Sequence, residues 1–382
     1  MSSTQPYRWL AAALAASVAA TLAACGASPA PARTTAARHH APAPAARTAR
    51  TYLTVVTSPM ITRPGHGPGV LYIVRYPVST VQLRSFDNGR VTGRTLLRSL
   101  GNVEAIMAPD GSVIAVADFG CRASVLRIDP ATGRRTLIRT LPESASDVSL
   151  SPDGRRLAYL TYPAGQRRHE CQAARQPARP VRTIMNPGGP VQFLPGTLAV
   201  VTLATGATVR TGTGSPGNPL GNPAWSPDGR RITAVYAGRD NPIVIMPSAR
   251  PDFAAARWLR PPRHCGYVTA TWVTAGLTAV LGCNRLDPGL SPRTLVRLSA
   301  AGRPVARWQL PACIDGIRVF ADPAARQVLI QADTGYGNGP PCARLHHPGG
   351  WAIRIERVRG AELVPVATYP QNNATPLQLT GW

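Results

Sequence analysis

The sequence predicts an all-β protein, a β-propeller of six four-stranded antiparallel blades. Three observations carry this. The tripeptide Pro-Asp-Gly occurs as Pro109-Asp110-Gly111, Pro152-Asp153-Gly154 and Pro227-Asp228-Gly229. A short run of strand formers follows, as in Arg155-Arg156-Leu157-Ala158-Tyr159-Leu160 and Arg230-Arg231-Ile232-Thr233-Ala234-Val235-Tyr236. The glycines at 111, 154 and 229 stand 43 and 75 residues apart, one blade length and one blade enlarged by an insertion. The tripeptide itself closes a hairpin: proline presets φ, aspartate bonds its own backbone two residues on, and glycine accepts the left-handed conformation.

Taken in order, Arg8 precedes an apolar run from Trp9 to Ala24, interrupted only by Ser17 and Thr21. The run is too short and too rich in small residues for a membrane span, so 1–24 reads as a cleaved secretory signal. Residues 26–50 are almost wholly Ala, Pro, Arg, Thr, Ser and His. Such a stretch buries too little apolar surface to fold, and 25–50 is expected to be an extended tether. The propeller is expected over 51–371. Its first blade, without the motif, falls in 52–100, with strands from Val70 to Tyr76 and Val81 to Ser85 and a hairpin turn at Asn88-Gly89. Two weaker copies, Thr271-Trp272-Val273-Thr274-Ala275-Gly276 and Val319-Phe320-Ala321-Asp322-Pro323, place Trp272 and Phe320 where Trp225 stands. Recurrence at one blade position makes these rings core between blades and not a ligand cage. Extra strands within 161–213 would make seven blades. Residues 52–57 fit either the inner strand of the first blade or an outer strand completing the last. Residues 372–382 are expected to be a C-terminal tail.

Ser151-Pro152-Asp153-Gly154-Arg155-Arg156-Leu157-Ala158-Tyr159 and Trp225-Ser226-Pro227-Asp228-Gly229-Arg230-Arg231-Ile232 resemble the repeat of TolB-type propellers, relatives of the WD-repeat family. The blades would cover 52–370. The resemblance implies a propeller with a binding role. It implies no particular activity, because binding proteins, sensors and peptidase propeller domains share the repeat. Leu22-Ala23-Ala24-Cys25-Gly26 likewise resembles the bacterial lipoprotein cleavage box. That implies lipidation of Cys25 and an anchor on the extracytoplasmic face of the bacterial cell membrane.

With Cys25 assigned to lipid, six cysteines remain, an even number that suggests three disulfides in an exported chain. Cys265 and Cys283 flank a hairpin turning at Ala275-Gly276, which sets them opposite each other. Cys313 and Cys342 take corresponding places in the last blade, leaving Cys121 with Cys171. Metal ligation is the rival reading, but no Cys-x-x-Cys or Cys/His finger spacing occurs. In a four-stranded meander, first-to-second and third-to-fourth turns share one face, made short here by the Pro-Asp-Gly turns, Asn88-Gly89, 129–133, Thr205-Gly206 and Ala301-Gly302. All six cysteines fall on the opposite face, with the long insertions 161–195 and 333–350. This loop face is the expected interaction surface.

The candidate binding residues lie there: Arg167, Arg168, His169, His264, His346 and His347. Glu170, Asp287, Asp315 and Asp333 are nearby, and His with Asp or Glu are the residue types of a metal or acid–base site. No helix or strand spacing aims these histidines at one point, and solvated or capping roles account for them as well. There is no Gly-x-Ser-x-Gly, His-Glu-x-x-His or Gly-x-x-x-x-Gly-Lys motif. No catalytic residue, metal or cofactor is therefore assigned. A lactonase- or lyase-like propeller enzyme, using His264 or His346 at the loop-face mouth of the channel, stays open as the alternative.

Against 18 acidic residues stand 42 basic ones, all arginine, for a net charge of +24. The absence of lysine suggests biased coding in a high-GC bacterium. The arginines are spread over all blades, without the basic cluster and exposed aromatics that nucleic-acid binding would want. The positive field favours anionic lipid headgroups, an anionic cell-wall polymer or an acidic envelope protein as partner. A monomer is expected.

Overall fold

In the computed structural model the chain forms six four-stranded antiparallel blades arranged as a propeller. The structure describes residues 51–381 apart from 59–60, 65–69, 76–77, 120–121, 162–180, 185–195, 212–219, 237–239, 284–292, 300, 311–313, 323, 335–350 and 372–376. Five blades are simple meanders, counted here from the inner strand outwards. Blade 2 comprises Asn102–Met107, Val113–Asp118, Ala123–Ile128 and Arg135–Leu141. Blade 3 comprises Ser146–Leu150, Arg156–Thr161, Thr197–Thr202 and Thr208–Arg210. Blade 4 follows with Leu220–Trp225, Arg231–Tyr236, Ile243–Pro247 and Arg257–Leu259. Blade 5 has Cys265–Val273, Gly276–Cys283, Arg293–Leu298 and Pro304–Gln309. Blade 6 has Ile314–Ala321, Val328–Thr334, Trp351–Arg359 and Glu362–Gln371.

Blade 1 is assembled from both ends of the described chain. Its order is Leu377–Gly381, Thr51–Thr57, Val78–Ser85, Leu97–Leu100. Blade 1 departs from the sequence expectation in two strands. Residues 377–381, expected to lie in a tail, are the inner strand of blade 1. Residues 52–57 are neither an inner nor an outer strand but the second, paired with both neighbours. The physical reason is edge pairing: the final strand covers the backbone groups that Thr51–Thr57 would otherwise expose to the channel.

The second strands are buried along nearly their whole length, as in Val113–Asp118. Each blade is packed on both faces, so strand residues alternate between two interfaces and both must be apolar. Leu157 and Tyr159 join the cluster between blades 2 and 3, whereas Ala158 and Leu160 join the one between blades 3 and 4. Among the described residues six such clusters occur, one for each blade interface.

The Pro-Asp-Gly turns join first to second strands. The Gly154 amide donates to the Ser151 carbonyl (2.8 Å) with Gly154 at φ 69°, and the Gly229 amide donates to the Ser226 carbonyl (2.8 Å). In blade 4 the Ser226 hydroxyl and the Arg230 amide donate to Asp228, holding its carboxyl below the usual range. Blade 2 has Ala108 at that serine position, and the Ser112 amide and hydroxyl serve Asp110 instead.

Among the described residues, one sheet lies outside the blades. Val70–Arg75, expected within the first blade, is the middle strand of a three-stranded sheet between Ile61–Pro64 and Val181–Ile184. The first two strands belong to the blade 1 insertion and the third to the blade 3 insertion. Among the described residues, the insertion within 161–213 thus supplies a strand to this sheet and no strand of a seventh blade.

Candidate functional site

The inner strands line the channel, and several are bulged. In blade 3 the register slips between Ser146 and Ser149, with Asp147 at φ 49°; in blade 4 it slips between Gly221 and Ala224, with Asn222 at φ 52°. Asx residues tolerate this left-handed region, and a bulge re-aims side chains while freeing ladder amides. Glu104 of blade 2 receives those of its neighbour: its two carboxylate oxygens accept from the amides of Asp147 (2.7 Å) and Val148 (3.0 Å). Burial pushes the Glu104 carboxyl up to about 7, and the nearby Asp147 charge adds to the rise; Arg318 and the two amides oppose it. Burial likewise raises Asp147, again opposed by Arg318.

These residues face a cavity of about 200 Å³. Its wall also contains Met107, Leu150, Trp225, Trp272 and Phe320, one apolar residue from the inner strand of each of blades 2 to 6. Pro109, Pro152, Pro227 and Asp322 of the first-to-second turns complete it. The cavity therefore occupies the channel end nearer the tight-turn face. Trp225 is buried, with Nε1–H donating to the Ser149 carbonyl (3.0 Å). Trp272 and Phe320 are half-buried, packed on interblade clusters while lining the cavity. The three rings are core, as expected, and also wall.

On the opposite face, Cys265 and Cys283 are disulfide-bonded, with a Cα–Cα distance of 4.0 Å and the two residues paired in register. His264 beside them is exposed, at φ 65°. The three-stranded sheet belongs to this face too, because both insertions connect second to third strands. Cys25, Cys121, Cys171, Cys313, Cys342, Arg167, Arg168, His169, His346 and His347 lie outside the described residues. Among the described residues, no group of three His, Cys, Asp or Glu side chains is placed to hold a metal, and no helix is long and apolar enough to cross a membrane.

Glu104, Asp147 and Arg318 were not candidates on the sequence. A signal did exist. Glu104, Asp147 and Asn222 each stand seven residues before their motif glycine, and Thr269 stands seven before Gly276. Aligning the repeats exposes a polar column in strands that are otherwise apolar.

No family model and no curated protein matches the chain. Among solved structures, TolB from Acinetobacter baumannii is similar at 14% identity with a TM-score of 0.51, over 84% of this chain and 67% of that one. A TolB structure from Agrobacterium tumefaciens aligns at 13% identity and TM-score 0.47, over 83% and 89% of the two chains. Oligogalacturonate lyase from Vibrio parahaemolyticus aligns at 11% and 0.45, over 81% and 85%. At such identities the likeness is one of fold, and it makes this chain a six-bladed β-propeller similar to TolB.

Proposed function

We propose that the chain is a non-catalytic binding propeller, exported and lipid-anchored through Cys25, that engages an envelope protein through its loop face. One observation carries this reading: strands from the insertions of blades 1 and 3 pair with each other and build a sheet on that face. Strands from two separate insertions, paired with each other on the face that also carries the Cys265–Cys283 bond, serve no need of the blades themselves. The net charge of +24 favours an acidic partner. A second reading, a propeller enzyme, draws on Glu104, whose carboxyl at about 7 is suited to acid–base work at neutral pH.

Affinity capture of the full-length protein from gently solubilised envelopes tests the proposal, with partners quantified by mass spectrometry. A variant in which a short turn joins Thr161 to Thr197 is expected to lose a near-stoichiometric partner while keeping its β circular dichroism. Cys25→Ser is expected in the soluble fraction. Equal capture by the shortened variant would rule out the loop face as the binding surface, and an empty capture would favour the enzyme reading or an anionic polymer.

A further inference from the structure

The channel cavity has features that the loop-face reading does not use. Asp147 and Arg318 both line it, and among the described residues neither side chain has a hydrogen bond or an ion pair within 4.0 Å. Arg318 is nevertheless near enough to act electrostatically on both Glu104 and Asp147. Blades 3 and 6 are diametrically opposite in a six-membered ring. Opposite charges thus face each other across a gap that neither closes. Partly buried ionic groups are costly without partners, and a ligand bearing both charges would satisfy both walls at once.

The anionic wall is asymmetric. Glu104 already accepts two backbone amides, whereas the Asp147 carboxylate is uncommitted. Thr380, on the bulged inner strand of blade 1, lines the same cavity; the residue is 6% exposed and its hydroxyl has no hydrogen-bond partner among the described residues. Above the charged level, Trp272 and Phe320 offer half-buried ring surface. The volume of about 200 Å³ lies below the roughly 300–1,000 Å³ of drug-sized pockets. It suits a molecule of amino-acid size and not a folded partner.

We propose that this cavity binds a small zwitterion with an apolar side group, an α-amino acid in chemical class. Its ammonium sits against Asp147, its carboxylate against Arg318, and its side group among Trp272 and Phe320. A guanidinium can hold a carboxylate in two parallel hydrogen bonds, which gives the carboxylate end its specificity.

Titration calorimetry on the full-length, detergent-solubilised protein tests this with L-leucine, L-methionine and L-phenylalanine, each beside its N-acetyl and its amide derivative. At least one parent amino acid is expected to bind, and capping either end should weaken it about tenfold or more, since each cap removes one charge-assisted contact. Asp147→Asn and Arg318→Gln should each weaken the parent by a similar factor, with Arg318→Lys keeping more affinity than Arg318→Gln. Should a variant fail to fold, the derivative series on the unaltered protein decides alone. No heat and no thermal shift with any parent at millimolar concentration would overturn the proposal. So would an amide that binds as tightly as its parent, because then only an ammonium is read, as at a polypeptide N-terminus. Both results are independent of whether the loop face captures a protein.

Discussion

Arg156 follows the Pro-Asp-Gly of blade 3, yet its guanidinium serves blade 4, donating to the Gly229 carbonyl (2.9 Å) and lying 4.7 Å over the Trp225 ring. Motif residues that look like turn chemistry in one repeat thus join adjacent repeats. Glu104 does the same inside the channel by bonding the bulge amides of blade 3. Its raised carboxyl gives a signed prediction. Between the unfolded value near 4.5 and the folded value of about 7, the native state holds more protons than the unfolded one, so this group's contribution to stability falls as pH rises. Glu104→Gln removes the titration while keeping an acceptor oxygen. The stability of the variant relative to the parent should therefore swing in its favour between pH 5 and pH 8. Urea melts at both values check this, and an unchanged difference would place the Glu104 carboxyl in its ordinary range.

At the scale of the strand and hairpin, turn position was legible because turn chemistry is local. Pro-Asp-Gly and Asn88-Gly89 announce hairpins through φ preferences that hold whatever surrounds them. The pairing of Cys265 with Cys283 was legible for the same reason: one hairpin register sets them opposite. The strand Val70–Arg75 shows the other side. Its composition says strand, but its partner Val181–Ile184 comes from an insertion two blades on, and nothing in either segment names the other. The disulfide carries the prediction at this scale. It closes a short loop, with a sequence separation of 18, and the chain-entropy model assigns such a cross-link about 3 kcal/mol. Cys265→Ser should lower stability by an amount of that order, measured by denaturant titration under non-reducing conditions. The parent with dithiothreitol should approach the variant, and no loss would mean that the pairing of this hairpin already holds its ends without the bond.

Closure is the property of the whole molecule. Six interblade clusters make a ring only if the last strand returns to the first, and Leu377 and Leu379 do so by packing with Tyr52, Ile353 and Ile355 between blades 6 and 1. Gly381 completes the seam: a Cβ there would come within 2.8 Å of the Ala105 carbonyl of blade 2. Deleting residues 377–382 removes two buried leucines and bares the backbone of Thr51–Thr57. At about 1.5–3 kcal/mol for each buried leucine, the loss should exceed about 3 kcal/mol. Urea unfolding followed by far-UV circular dichroism should show an earlier midpoint, and a midpoint equal to that of the intact chain would refute closure by this strand.

The sequence by itself determined the class of fold, the repeat, the tight-turn face and the register of the Cys265–Cys283 hairpin. Each depends on residues a few positions apart, where backbone preference and strand alternation act directly. Only the tertiary structure decided which strand closes the ring, how two insertions become one sheet, and that Glu104, Asp147 and Arg318 share a channel. These are meetings of residues up to hundreds of positions apart, set by the geometry of six blades around an axis and by no local preference of the chain.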